Sequence, residues 1–296
     1  MRIAVFGATG TIGAALLPVL AESHEVVGIS RSARDDTDGI EWRQADAVDA
    51  EAVRRALDGV EVAYYLVHSL GSADFEDRDL RAAGTLAAEA ERAGVRQLIY
   101  LGGLGDSEAE LSPHLRSRIE TGRRLETGAV PVTTLRAAIV VGPGSAAFET
   151  VVALVDRLPA MVCPRWVGVP TQPIALRDTV AYLAGVCGRE EAFGRSYDIG
   201  GPEVMTYRAM IERIAKLRGK RPLIVEVPFL TPRLSSYWLH LVTPVGAGVA
   251  RPLIEGLRNP TVVRDGRIRE LVPFELTPFE EAVESALRGR VAGEPA

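Results

Sequence analysis

The chain has 296 residues, of which 47% are hydrophobic, and its formal net charge at pH 7 is −5. That length and apolar content allow one large domain, or a domain with an appended lobe, to bury a substantial core. The acidic balance argues against a nucleic-acid-binding surface, and no apolar stretch reaches the roughly 20 residues that a membrane-spanning helix needs.

The cysteines and the N-terminal residues indicate the cellular compartment in which the protein is expected. The two cysteines, Cys163 and Cys187, do not form a metal-ligand cluster, and free thiols are favoured over a disulfide. A strand is predicted from Arg2 onward, without the pattern of a secretory signal. We therefore expect a cytoplasmic protein without a transmembrane segment, a bound metal or a nucleic-acid partner.

Short β-rich runs alternate with helical stretches through the first half of the chain. The predicted strands are Ile3–Phe6, Glu25–Ile29, Ile40–Gln44, Val62–Val67, Val95–Leu101 and Val132–Val141. The predicted helices are Thr11–Ala21, Asp49–Leu57, Asp74–Ala93 and Arg116–Thr127. This alternation predicts an α/β fold of the Rossmann type, a doubly wound parallel sheet with helices on both faces.

The alternation weakens after Gly144. The sequence predicts helices over Asp178–Cys187, Thr206–Arg218 and Thr277–Leu287, and a strand over Leu223–Val227. In the last helix, Thr277 and Glu280 have the spacing of a capping box. We expect residues 1–145 to form a dinucleotide-binding Rossmann core. Residues 146–296 would complete the sheet and form a smaller C-terminal α/β lobe for a substrate or partner.

A glycine-rich loop, Gly7–Gly13, lies between the first strand and the first helix. Its first glycine would permit a tight turn, Gly10 would let the backbone approach a pyrophosphate, and Gly13 would let the helix pack close to the strand. Free N–H groups at the helix start favour phosphate. The alternative is a glycine-rich turn without a ligand. The predicted cofactor contacts here are Gly7, Thr9, Gly10, Thr11, Ile12 and Gly13.

The ends of the next strands indicate which dinucleotide is bound. Arg31 stands where an acidic residue would select NAD, and a guanidinium suits the 2′-phosphate of NADP. NADP is therefore favoured, with NAD left open, and a solvated surface arginine is the alternative. Asp46, with Ala47, would contact the adenine or simply form a turn. Val67 and His68 would line the cofactor pocket, or His68 with Ser69 would donate to a substrate. The alternative for His68 is a loop histidine bonded to backbone.

These motifs together resemble an atypical member of the short-chain dehydrogenase/reductase superfamily, of the NmrA-like or extended, epimerase-like NAD(P)-binding type. The resemblance extends from about Met1 to Arg221. Besides the glycine loop, it is carried by Ala45-Asp46, Leu135–Gly144, Pro173–Asp178 and Tyr197–Pro202. It implies an NAD(P)-binding protein of the oxidoreductase or epimerase kind.

The catalytic pattern of that superfamily is not present. Its Tyr-x-x-x-Lys pair cannot exist in the first half, because no lysine precedes Lys216. The equivalent spacing holds His114 and Arg118, and Gly102–Gly105 stand where a catalytic serine is expected. In one interpretation, His114 is the proton donor and Arg118 the cationic ribose contact. In the other, His114 is only a residue at a helix start near solvent.

An aromatic stretch in the second half leaves several roles open. Its aromatic and histidine residues are Phe229, Tyr237, Trp238 and His240, and Trp166 precedes them in an earlier loop. Four alternative roles are open for them: the core of the C-terminal lobe, an apolar substrate pocket, the interface of a homodimer, or a patch that binds a membrane surface.

Three functional hypotheses follow from the sequence. The first is an NADP-dependent oxidoreductase that acts on an apolar small-molecule carbonyl or enone. The second is a non-catalytic NADP(H)-binding sensor or assembly protein of the NmrA-like type. The third is an NAD(P)-dependent epimerase or dehydratase, against which the absent tyrosine argues.

Overall fold

The computed structural model describes residues 1–68, 75–105, 112–227 and 259–293, apart from the side chains of residues 164–166 and 290–293. Within these ranges, the strands are β1 (Arg2–Phe6), β2 (Glu25–Ser30), β3 (Ile40–Gln44), β4 (Val62–Tyr65), β5 (Gln97–Gly103), β6 (Val132–Ala137), β7 (Val140–Val141), β8 (Ala160–Pro164), β9 (Pro170–Thr171), β10 (Ile174–Ala175), β11 (Ser196–Ile199), β12 (Met205–Thr206) and β13 (Leu223–Val227). The helices are α1 (Thr11–Ala21), α2 (Ala50–Ala56), α3 (Phe75–Arg92), α4 (Pro113–Leu125), α5 (Ala146–Arg157), α6 (Leu176–Gly185), α7 (Tyr207–Leu217), α8 (Ile268–Leu271) and α9 (Phe279–Gly293).

Seven of the described strands form one parallel sheet in the order β11-β6-β5-β4-β1-β2-β3. The chain runs outward from β1 to β3, returns across the sheet to β4, and runs outward again to β6 and β11. Crossover helices cover both faces, which confirms the predicted Rossmann-type doubly wound fold. The strand order reverses between β1 and β4, and sheets of this kind bind ligands beyond the strand carboxyl ends at that point.

Alternation along β1 shows how the two faces of the sheet are filled. Ile3 and Val5 pack with residues of α1 and α6, whereas Ala4 and Phe6 pack with residues of α2, α3 and α4. All four side chains are almost completely buried, as expected for a parallel sheet covered on both sides. A third apolar cluster joins α5, α7 and α9 into the smaller C-terminal lobe.

The predicted strand Val132–Val141 is two strands in the structure. β6 pairs with β5 as far as Gly103 and Ala137, where β5 ends. Beyond that point, Val140 and Val141 pair with β10 instead. The single-strand prediction was wrong because the apolar pattern continues after the pairing partner has ended.

Helix α4 begins at Pro113, three residues before the predicted start at Arg116. The Ser112 hydroxyl oxygen accepts a hydrogen bond from the Leu115 N–H at 3.2 Å, which caps the helix. Proline suits the first helical position because its missing N–H would be unpaired there in any case. His114 therefore lies within the first turn of α4.

The capping box predicted at Thr277 and Glu280 is wrong. The Thr277 hydroxyl donates to Asp178 Oδ1 at 2.6 Å, and its backbone N–H donates to Asp178 Oδ2 at 2.8 Å. Glu280 pairs with Arg213 at 2.5 Å. The backbone N–H of Thr277 is thus taken by Asp178 rather than by Glu280, and α9 begins at Phe279.

The remaining predictions concern the cysteines, a membrane-spanning helix and the aromatic stretch, and the structure describes only some of these residues. Cys163 and Cys187 are free thiols, as predicted. Among the described residues, no helix is long and apolar enough to cross a membrane. The interpretations of Phe229, Tyr237, Trp238 and His240, and of the Trp166 side chain, lie outside what the structure describes.

Candidate functional site

The glycine loop forms a tight turn that leads directly into α1. Gly7 has φ +85°, a left-handed conformation that favours glycine, and its carbonyl accepts the Gly10 N–H at 3.0 Å. A Cβ on Gly13 would lie 2.3 Å from Gly7 O. A Cβ on Gly10 would meet only Gly7 O within 4 Å, at 3.3 Å. The outer two glycines thus serve the fold, while a Cβ on Gly10 would make a single close contact, to the Gly7 carbonyl, at the helix start.

The start of α1 offers unpaired amides to an anion. Gly10 is the N-cap without a side-chain hydrogen bond, and the first turn carries no acidic residue. The Thr11 hydroxyl donates to Gly144 O at 2.8 Å, which ties this turn to the Gly-Pro-Gly loop. Thr11 and Ile12 line the adjoining cavity. Thr9 is exposed beside it.

Two of the predicted dinucleotide contacts lie at the ends of β2 and β3. The Arg31 side chain is exposed, and in the described part of the chain its guanidinium has no hydrogen bond or ion pair. Asp46 Oδ1 accepts the Val48 N–H at 3.3 Å, so the residue does form a turn. Its other carboxylate oxygen accepts from Arg78 of α3 at 2.7 Å, a pairing that the sequence analysis did not predict. Ala47 is buried beside it.

A cavity of about 530 Å³ starts at the glycine loop and passes the carboxyl ends of β4, β5 and β6. Its polar side chains near the sheet are His68, His114 and Arg118. Its far wall comes from α5 and α7 and is mainly apolar. The apolar side chains of that wall are Val151, Leu154, Met210 and Ile211. Val67 precedes His68 but packs with the sheet core rather than lining the cavity.

The two histidines form a hydrogen-bonded pair backed by a buried acid. His68 Nδ1 lies 2.9 Å from Asp79 Oδ2, and His68 Nε2 lies 3.1 Å from His114 Nε2. Asp79, on α3, is 1% exposed. Because a carboxylate can only accept, His68 Nδ1 donates to Asp79 when the acid is ionised. The structure therefore favours the pocket interpretation of His68, and it brings together residues 46 positions apart in the sequence.

Burial and neighbouring charge make both rings poor bases. Burial lowers the pKa of His68, and the hydrogen bond that His68 donates to Asp79 opposes that shift. Burial lowers the pKa of His114 to about 3, with further lowering from His68 and Arg118. The pair is therefore neutral at pH 7 and takes up a proton under more acidic conditions.

Arg118 is held on the cavity wall next to His114. Its guanidinium lies 5.0 Å from the centre of the Tyr100 ring and donates to Leu101 O. The Tyr100 hydroxyl donates to Arg118 O at 2.8 Å. A Cβ on Gly103 would lie 3.0 Å from Leu115 and 3.7 Å from Arg118. Gly103, one of the glycines where a serine was expected, thus lets α4 pack close to β5.

Asp79 and helix α5 were not predicted from the sequence. The structure buries Asp79 on α3 and leaves the neighbouring Leu80 half-buried. The available signal was spacing, since Asp79 lies three, four and seven residues before the buried Ala82, Ala83 and Leu86. For α5, the buried residues Phe148, Val151, Val152 and Val155 have the same helical period.

Comparisons with known proteins indicate the kind of domain that the chain contains. A family model described as NAD(P)H-binding matches residues 7–127. The (4-alkanoyl-5-oxo-2,5-dihydrofuran-3-yl)methyl phosphate reductase of Streptomyces griseus is 30% identical over 235 residues, 76% of each chain. Subunit 9 of the NADH dehydrogenase (ubiquinone) 1 alpha subcomplex, mitochondrial, of Arabidopsis thaliana is 22% identical over 301 residues, 93% of this chain and 75% of the subunit.

Solved structures share the fold at low sequence identity. Triphenylmethane reductase of Citrobacter sp., complexed with NADP(H), superposes with a TM-score of 0.75 at 19% identity, over 97% of this chain and all of that one. A nucleoside-diphosphate-sugar epimerase of Staphylococcus aureus gives 0.76 at 16% identity, over 96% of this chain and all of that one. The glycine loop, the sheet order and these matches together show that the chain belongs to the NAD(P)-binding, atypical short-chain dehydrogenase/reductase superfamily.

Proposed function

We propose that the chain is an NADPH-dependent oxidoreductase acting on an apolar small molecule that carries a carbonyl or a conjugated double bond. The observation that carries this proposal is the cavity, which connects the open start of α1, the histidine pair and the apolar wall of the lobe. A coenzyme site, a proton carrier and a substrate wall would thus lie along one space.

The residues present fit a nicotinamide dinucleotide. Gly10 leaves open space beside unpaired amides, where an added side chain would fill the approach to the helix. Arg31 would pair with a 2′-phosphate, and Asp46 with Ala47 would border the adenine. Arg118 would contact the ribose nearest the nicotinamide. When bound, such a coenzyme supplies or accepts a hydride, while the protein provides orientation and a proton.

His114 is the residue that we assign to proton transfer. It lines the cavity and is held by His68, which Asp79 holds in turn. A protonated pair would donate to a substrate during reduction, and the neutral pair would accept a proton during oxidation. The apolar wall would bind the substrate's hydrocarbon part and exclude water from this step.

A conjugated enone is the first substrate class to test. The Streptomyces reductase is named after a phosphate ester. In that compound, a ring double bond is conjugated with a ring carbonyl and with an alkanoyl group. An alkanoyl chain suits the wall formed by α5 and α7. Among the described residues that line the cavity, Arg118 is the cationic side chain available to a phosphate.

Consumption of NADPH tests the proposal. The substrates would be an alkanoyl butenolide phosphate, its dephosphorylated form, and simple enones and ketones of increasing chain length. We expect turnover with at least one, and a fall in kcat of about 100-fold or more in His114→Gln, since general acid–base catalysis contributes about that much. His24→Gln, outside the cavity, is the control and should keep wild-type turnover.

The second candidate is a non-catalytic NADP(H)-binding protein. It is favoured by the missing Tyr, Lys and Ser and by similarity to the Arabidopsis subunit. Tight binding of NADPH without consumption across the whole substrate panel would support this candidate and contradict the oxidoreductase proposal.

A further inference from the structure

We propose that Asp79, His68 and His114 act as one directional proton relay, in which Asp79 is a positioning residue and His114 Nδ1 is the atom that exchanges a proton with the substrate. This inference rests on the proposed oxidoreductase function and names three groups for its proton step. The superfamily's tyrosine and lysine are absent, so the proton step needs another carrier.

Hydrogen bonding fixes the direction of the relay. Ionised Asp79 accepts from His68 Nδ1, so the neutral His68 ring has its lone pair on Nε2. That lone pair faces His114 Nε2 at 3.1 Å, so His114 donates there and keeps its own lone pair on Nδ1. Nδ1 has no hydrogen-bond partner among the described residues, and His114 borders the cavity. The carboxylate thus determines which nitrogen meets the substrate.

In the reductive direction, the pair starts with one additional proton. His68 is then an imidazolium that donates from Nδ1 to Asp79 and from Nε2 to His114, whose proton is on Nδ1. The His114 Nδ1–H bond breaks and its proton joins the substrate, while the Nε2 proton of His68 passes to His114 Nε2. A bound nicotinamide coenzyme would supply the hydride that the substrate gains. Both rings end neutral, and a proton from solvent restores the pair.

The surroundings favour the positive charge on His68 rather than on His114. His68 contacts the Asp79 carboxylate directly, whereas His114 borders the Arg118 guanidinium, which disfavours a second cation. The neighbouring Tyr65 and Tyr100 hydroxyls have raised pKa values because of burial, so they stay neutral. The positive charge of the protonated pair thus lies on His68, next to the buried Asp79 carboxylate and away from the substrate side of the cavity.

Nitrogen-15 NMR of histidine-labelled protein tests the relay without any substrate. The chain has only four histidines, so single His→Gln variants can assign them. At neutral pH we expect His68 protonated on Nδ1 and His114 protonated on Nε2, because the two forms have distinct nitrogen shifts. As pH falls, both rings should respond to uptake of one shared proton. A neutral His114 with its proton on Nδ1, or two independent titrations, would overturn the relay.

Asp79→Asn tests the role of the carboxylate, with Glu89→Gln as a matched control. Both acids lie on α3 and both are 1% exposed, but Glu89 pairs with Arg54 and Arg92 instead of a histidine. Removing the Asp79 charge should move titration of the pair to lower pH and reduce kcat for reduction about 100-fold. Affinity for NADPH should stay the same, and Asp79→Glu should restore part of the rate.

The outcomes separate the two proposals. Glu89→Gln should leave the histidine signals and the pH–rate profile as in wild type. A wild-type pH–rate profile in Asp79→Asn would overturn the relay even if turnover confirms an oxidoreductase. Absence of turnover in the wild type would contradict the oxidoreductase proposal, whatever the histidine spectra show.

Discussion

The three glycines of the glycine loop fit one sequence motif, but their steric surroundings in the structure differ. Gly7 and Gly13 are required by the backbone, since added Cβ atoms would lie 2.8 Å from Leu66 O and 2.3 Å from Gly7 O. Gly10 has an ordinary φ of −79° and no such clash. We therefore expect its small size to matter to a bound dinucleotide rather than to the fold.

Alanine substitutions should separate these two roles. Gly13→Ala should destabilise the protein by about 1–3 kcal/mol, since it forces a side chain into backbone. Gly10→Ala should keep the wild-type Tm and lose most affinity for NADPH. Thermal unfolding and NADPH titration of each variant measure this, with Gly266→Ala, which has open space around it, as the control. Equal NADPH affinity in Gly10→Ala and wild type would contradict the assignment of the loop.

Arg31 is expected to determine the choice between NADPH and NADH. Arg31→Ala should weaken binding of NADPH about 10-fold or more and leave NADH nearly unchanged, because a charged hydrogen bond to the 2′-phosphate is lost. Arg55→Ala, which removes an exposed arginine that pairs with Glu51 on α2, is the control. A similar loss for both nucleotides in Arg31→Ala would reject the 2′-phosphate contact.

The start of α4 positions His114, so its cap links helix stability to the site. Ser112→Ala removes the acceptor for the Leu115 N–H and should cost about 1 kcal/mol. It should also weaken the contact between His114 and His68 in the histidine spectra. Thr206→Ala removes a similar cap from α7, where Thr206 Oγ1 accepts the Ala209 N–H at 3.1 Å. That variant should lose similar stability with unchanged histidine signals, and equal spectra in both variants would contradict the role of the α4 cap.

Most elements of the Rossmann core follow from local patterns that the sequence displays. Helix α1 and strand β3 were predicted with their observed bounds, because apolar periodicity and flanking glycines agree there. The errors arise where a distant partner decides the structure. β6 ends where β5 ends, and the Thr277 hydroxyl binds Asp178 from another helix. Periodicity carries no information about such partners.

The candidate site shows the same division. The glycine loop was recognisable because its residues are contiguous and lie between a strand and a helix. His68 and His114 were each singled out, but their contact depends on how α4 packs against β5 and on the start of α4 at Pro113. The spacing of Asp79 places it on the buried face of α3, but its role depends on the contact with His68, which only the fold brings about.

The whole molecule places the cavity between the Rossmann sheet and the lobe. The glycine loop and the histidine pair lie on the Rossmann side of the cavity, and α5 and α7 form its apolar wall. Under the proposed function, substitutions in α5 and α7 would alter the substrate and leave the coenzyme contacts unchanged.

Acid should destabilise the fold partly through His114. Its pKa is lowered to about 3 in the folded chain, against about 6.5 when unfolded. Between these values the unfolded chain binds a proton that the folded chain does not, so this contribution is full above pH 6.5 and is lost as pH falls toward 3. Thermal unfolding at pH 7 and pH 4 should show a smaller loss of Tm in His114→Gln than in wild type. Thr206→Ala should lose as much between the two pH values as wild type, and an unchanged loss in His114→Gln would contradict the assignment.

Calorimetric titration of the wild-type chain with NADPH and NADH tests the coenzyme site most directly. The structure predicts one site per chain, with NADPH bound more tightly than NADH and with binding abolished or much weakened in Gly10→Ala. Absence of binding heat for both nucleotides over a range of temperatures would contradict the account, because every assigned role in the cavity depends on a dinucleotide held at the start of α1.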